Sequence, residues 1–232
     1  TLEKIKYIET NITQNKLFSN KAERKKLSWH NFNRILSYDL TPYNETLIVD
    51  SDFLIQNNLL NNIWNYDFPL SINTKAKTIS NDNLSNKEKR LNTNGIKLNW
   101  ATLIYFRKSQ ITKTYFNIAK HVYQNYYYYS KVYNYSNNLF RNDYVFSIAS
   151  HVLNDFNENY IIPELPDNEI IISNENDTIL GFGKNHVKFL TTKYDTKKKT
   201  TNYLPIKVYQ NVHIQNKLDL MNNLEKLREI YE

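Results

Sequence analysis

A chain of 232 residues is long enough to bury the core of one α/β domain and does not demand a second. Hydrophobic residues make up 41% and aromatic residues 14%, which excludes a disordered chain; the low mean hydropathy of −0.66 comes from abundant Asn, Lys and Tyr. Cysteine is absent, which excludes disulfides and thiolate metal sites, and no apolar run reaches the roughly 18 residues of a spanning helix. The net charge of +7 favours an anionic partner such as nucleic acid or an anionic membrane surface, and a reducing cytoplasm is the compatible location.

The amino-terminal segment offers a strand at Ile5 to Ile8 and a polar stretch from Thr13 to Asn20. From Lys21 the spacing of Leu27, Phe32, Ile35 and Leu36 predicts a helix, with Trp29 near its apolar stripe and Arg34 off it. After the turn around Pro42 and Asn44, Leu47-Ile48-Val49 reads as a short buried strand that ends in Asp50-Ser51-Asp52. Alternation along a strand puts residues i and i+2 on one side, so Asp50 and Asp52 are expected to face one point. Two carboxylates converging at a strand's carboxyl end suit Mg²⁺ or Mn²⁺, which in turn holds a diphosphate. A solvated turn explains an isolated D-x-D equally well.

Beyond Asp52, Leu59, Leu60, Ile63 and Trp64 predict a short helix closed by Asp67-Phe68-Pro69. Residues 71–98 are polar and charged, and read as a lid or insertion over the site. Trp100 to Phe106 is the next buried strand. Thr112 to Tyr133 predicts the longest helix, with Tyr115, Ile118, Ala119, Val122, Tyr126 and Tyr129 on one face; this stripe reads as core before it reads as a base-stacking surface. Asn142 and Asp143 open a further helix, where a cap and a dipole partner suffice as explanation.

Ile161 to Pro166 and Ile170 to Ile172 read as edge structure, and His186 to Leu190 alternates as a strand. Lys193 to Lys199 is a basic turn, either a phosphate contact or a solvated face. A strand beginning at Lys207 is expected to close at Val212-His213, and Leu220, Leu224, Leu227 and Ile230 form a final amphipathic helix on the sheet.

Taken as a unit, Arg34 to Asp52, with an arginine on a helix, the Thr41-Pro42-Tyr43 turn, a hydrophobic strand and then Asp-Ser-Asp, resembles the central signature of nucleotide-sugar-dependent glycosyltransferases of the GT-A fold. It is most similar to the glycogenin-like group and its bacteriophage relatives, and the likeness continues more loosely to about Lys217. The resemblance implies one GT-A-like domain over residues 1–232, a Rossmann-like mixed central sheet with flanking helices, and 71–98 as its lid. With 49 residues before Asp50 there is room for about one strand–helix unit, so the fold is expected to be short at its amino terminus.

In that frame Asp50, Asp52 and His213 hold the cation, and Arg34 and Lys217 serve the diphosphate. Ser51, Asn99, Trp100, Ala101, Thr102, Asn142 and Asn216 line the donor, and Asp143 orients the sugar or the acceptor hydroxyl. The implied donor is a sugar on a nucleoside diphosphate, UDP by preference. The acceptor expected first is a hydroxymethylated pyrimidine in phage DNA, reached through basic loops 75–90 and 193–199. Polysaccharide or protein acceptors, and a non-catalytic scaffold that binds nucleic acid, are the alternatives; a nuclease or phosphotransferase would place further carboxylates near Asp50 and Asp52.

Overall fold

The computed structural model describes residues 14–19, 24–29, 33–80, 90–92, 95–136, 140–158, 162–165, 170–195 and 198–231. The expected strand at Ile5 to Ile8, the Lys87 to Lys89 run and Lys197 lie outside them. Helices and sheets mix, as expected for an α/β chain, and the described strands form four sheets, one of two strands, two of three and one of four.

The hub is β7 (Trp100–Arg107), the middle strand of β3 (Glu45–Val49), β7 and β5 (Leu70–Asn73), all antiparallel. All of β7 but Arg107 is buried because both its faces are covered, which is why its sequence is an unbroken apolar run. Ala101, Ile104 and Phe106 pack against α2 (Gln110–Gln124) and α4 (Asn142–Leu153). Trp100, Leu103 and Tyr105 pack instead with Leu60 and Ile63 of the 3-10 helix Leu59–Asn65. Strict alternation cannot put Ala101 and Leu103 in different cores. The register resolves this: Ile72 pairs with Ile104 but Asn73 with Trp100, leaving Ala101, Thr102 and Leu103 without register partners on β5. Such an irregularity re-aims side chains, and here it falls beside Asp50.

Helix α2 begins where the sequence supplies a capping box, since the Ser109 hydroxyl accepts from the Thr112 amide at 3.3 Å and the Ser109 amide donates to Thr112 Oγ1 at 3.0 Å. Thr112, Tyr115, Phe116, Ala119 and Val122 are its buried face. The expected continuous helix to Tyr133 divides at Asn125, and α3 spans Tyr126–Val132. The Asn125 side chain donates to the His121 carbonyl at 2.9 Å, competing with the helix for its own acceptor. Tyr126 and Tyr129 pack on the core as anticipated, whereas Tyr127 and Tyr128 are exposed.

A mixed four-stranded sheet runs in the order β4 (Phe53–Leu54), β12 (Val212–His213), β8 (Ile170–Ile172) and β6 (Ala76–Thr78). Antiparallel β9 (Thr178–Gly183), β10 (His186–Asp195) and β11 (Thr200–Val208) form another sheet, on the core of Val187, Phe189 and Val212.

Five further expectations need correction. The residues from Lys21 do not form a helix through Leu36: Arg24–Trp29 is β2, paired with β1 (Gln14–Ser19), because Lys26 to Trp29 also alternates polar and apolar as a strand does. Helical turns start at Asn33–Leu36 and continue as α1 (Ser37–Leu40), with Ile35 buried and Leu36 exposed. Segment 71–98 is not a free lid throughout, since Ser71 to Asn73 and Ala76 to Thr78 are strands and Leu91, Ile96 and Leu98 are core. Ile170 to Ile172 is interior to its sheet, between β12 and β6. β11 ends at Val208 and β12 is separate. The last helical segment breaks at Asn223 into α5 (Lys217–Asn222) and α6 (Leu224–Tyr231), where the Asn223 side chain donates to the Asp219 carbonyl at 2.8 Å.

Candidate metal centre

Asp50 is fixed by its backbone, whose amide donates to the Thr102 carbonyl at 3.0 Å while its own carbonyl accepts from Phe53 at 3.0 Å. The second bond closes a turn over Ser51 and Asp52, so it is this turn, rather than the alternation of a strand, that brings the two carboxylates to one side. On β12, His213 stands opposite Phe53, and the Ile214 amide donates to the Asp52 carbonyl at 2.9 Å. Residues some 160 positions apart are thereby pinned by one antiparallel pair.

His213 Nε2 lies 3.2 Å from Asp52 Oδ1 and 3.9 Å from Asp50 Oδ2. One ligand atom from each of the three residues falls within 4.8 Å of the others, a span suited to a single cation. His213 Nδ1 faces the Thr102 hydroxyl at 3.3 Å, which can accept from Nδ1–H and leave Nε2 bare toward the carboxylates. Burial pushes the imidazole below its ordinary pKa, against the opposing pull of Asp50 and Asp143 and with help from Arg34. A neutral imidazole is the form that ligates metal.

Two side-chain cations already face the carboxylates. Arg34 pairs with Asp50 Oδ1 and donates its second guanidinium arm to the Ala101 carbonyl at 2.7 Å. Lys217 pairs with Asp52 Oδ2 and also donates to the Ile214 carbonyl at 3.1 Å. The donor set, two carboxylates and one imidazole, fits Mn²⁺ or Mg²⁺, but with Arg34 and Lys217 the carboxylate charge is already balanced. A divalent ion entering here therefore favours an accompanying anion, whose charge Lys217 would complement.

Asp143 sits at the first turn of α4, and both its oxygens are engaged. Oδ1 accepts from the Ala101 amide at 2.9 Å and Oδ2 pairs with Arg141 at 2.9 Å. The arrangement braces the re-aimed strand that carries Thr102. Arg141, which the sequence reading did not assign to the site, also covers the Tyr144 ring, with its guanidinium carbon 4.9 Å from the centroid. Its only sequence signal was adjacency to Asp143.

The other expected residues divide by position. Ala101 and Thr102 touch the centre as described. Asn99 is buried, its side chain donating to Ser150 Oγ at 2.6 Å and its backbone amide donating to Ser147 Oγ at 2.7 Å. Trp100 belongs to the core with Phe53 and Leu103. Asn142 is buried in the first turn of α4, and Ser51 is exposed between the aspartates. Asn216 caps α5, accepting from the Asp219 amide at 3.1 Å and donating to the Asp177 carbonyl at 2.9 Å.

Two of the described cations of loop 75–90 are paired within the fold, Lys75 with Glu164 at 2.8 Å and Arg90 with Glu158 at 3.0 Å. The described cations of 193–199 are exposed, Lys193 on β10 and Lys198 and Lys199 in the β10–β11 turn. No helix of the described residues is long and apolar enough to cross a membrane. Comparison of the chain with protein-family models, with curated proteins and with solved structures finds no match.

Proposed function

We propose that the chain is a metal-dependent glycosyltransferase of GT-A type that takes its sugar from a nucleoside-diphosphate donor, UDP-linked by preference. The supporting observation is the convergence of Asp50, Asp52 and His213 with two cations, Arg34 and Lys217, already against the carboxylates. A bound Mn²⁺ or Mg²⁺ would supply Lewis-acid stabilisation of the departing diphosphate. Asp50, Asp52 and His213 would hold it. Lys217, turning from Asp52 to the anion, would add positive charge where the leaving group gains negative charge, and Arg34 would keep Asp50 ionised and in place. Asp143 is a positioning residue here, because both of its oxygens are spent on Ala101 and Arg141.

The acceptor in this reading is a hydroxyl on DNA, a hydroxymethylated pyrimidine first, supported by the basic, exposed end of the β10–β11 hairpin. The test is thermal stabilisation by a panel of nucleotide sugars with and without Mn²⁺, since a ligand of the native state stabilises by mass action. Metal-dependent stabilisation by one donor, lost in Asp52→Asn, is expected. A shift that is absent for every donor, or that survives in Asp52→Asn, would refute the site.

A further inference from the structure

The sheet β9–β10–β11 has one face in the core and one in the open. Val187 and Phe189 turn inward with Ile179, so the alternate positions turn outward. There Lys188 lies directly opposite Lys207 on β11 and opposite Gly181 on β9. Two ammonium groups face to face across a ladder repel and cost stability. No Asp or Glu occupies a register position on this face in the three strands to offset them. A Cβ added at Gly181 would meet nothing within 4 Å, so the surface beside the lysines is bare.

Aromatic rings flank that charge. Tyr203, on the same face as Lys207, is 57% exposed, and Tyr209, just past the end of β11, is 50% exposed with the His186 ring 5.2 Å from its own. At about 3.3 Å per residue, Tyr203 and Tyr209 bracket about 20 Å of surface. Lysines and a proline on an edge strand oppose the addition of another strand, which disfavours a second copy of the chain as occupant. A neutral glycan would use the rings without needing the lysine pair, and duplex DNA offers no unstacked base.

We propose that this open face binds single-stranded nucleic acid, with Lys188 and Lys207 on phosphates and Tyr203 and Tyr209 under bases. The surface differs from the basic turn at 193–199, and the inference does not rest on the metal centre. The two are neighbours along the chain, because His213 follows Tyr209 by four positions, a span of at most about 14 Å.

The experiment titrates the full chain against a fluorescent oligothymidylate of about 15 nucleotides, in EDTA, between about 50 and 200 mM salt. Wild type is expected to bind with affinity that falls as salt rises. Lys188→Gln with Lys207→Gln should weaken binding at low salt at least about tenfold and flatten the slope of log affinity against log salt by about 1.4, or about 0.7 per lost phosphate contact. Tyr203→Ala should weaken binding about five- to a hundredfold with the slope unchanged.

If the double variant loses its cooperative melt, Lys207→Gln alone should flatten the slope by about 0.7. Asp52→Asn should bind like wild type, which separates this surface from the glycosyltransferase reading. The proposal is overturned by wild type that does not bind at the lowest salt or by a folded lysine variant that binds as tightly as wild type. Equal affinity for duplex, displacement by a neutral oligosaccharide, or self-association lost in Tyr203→Ala would overturn it as well.

Discussion

Arg34 makes the candidate centre as much a folding feature as a binding one. Its guanidinium satisfies both a part-buried carboxylate and the carbonyl of Ala101, so Arg34→Met leaves two acceptors without a donor. The expected loss is about 1–3 kcal/mol, reduced from the fully buried case because Asp50 retains some access to water; urea unfolding measures it. The Thr102 hydroxyl faces His213 Nδ1, so Thr102→Val leaves a buried N–H without its acceptor and should cost about 1–3 kcal/mol in urea unfolding. The same change should lower Mn²⁺ affinity about ten- to a hundredfold, as loss of a ligand's orienting partner does. Calorimetric titration with Mn²⁺ reads that effect; equal affinity in both proteins would show that Thr102 does not orient the ligand.

Among the elements, the link from Glu164 to β5 and β6 gives a pH-dependent joint. Desolvation pushes the Glu164 carboxyl up, but hydrogen bonds from Lys75, Lys97 and Thr74 outweigh it and hold the pKa at about 2, against an ordinary 4.5. A depressed pKa means that the contribution is complete above about pH 4.5 and fades as the pH falls toward 2. Glu164→Gln should therefore lower the melting temperature at pH 7 and leave the two proteins alike near pH 2, which melts across that range would check. Lys97 carries more of the effect than Lys75, whose side chain is 69% exposed and screened by water. On α2, Ser109→Ala removes the capping box, and a loss of about 1 kcal/mol in denaturant unfolding is expected.

For the whole molecule, β7 joins two cores. Ile104 is fully buried between β3, β5 and the helices, so Ile104→Ala should cost about 2–5 kcal/mol through lost burial and the cavity left behind. Amide exchange in β3, β5 and α2 should quicken with it. The sheet β9–β10–β11 rests on a separate core with β12, and its amides should be the less affected.

The sequence by itself determined the parts whose cause is local or periodic. The apolar run at Trp100 required a strand buried on both faces, the spacing from Thr112 to Val122 required an amphipathic helix, and Asp50 with Asp52 marked the place to look. Tertiary structure decided what depends on distant partners. Whether Lys26 to Trp29 is strand or helix turned on pairing with β1, because both periods fit so short a run. That Ile170 to Ile172 is interior followed from β12 and β6 closing on it. The centre itself is a product of pairing: His213 meets the carboxylates because β12 pairs with β4, Thr102 reaches it because β7 breaks register, and Arg141 enters through Asp143. Apart from the Arg141–Asp143 pair, none of these contacts is local in sequence, and a one-residue slip in either strand pair would turn the same residues to the opposite face.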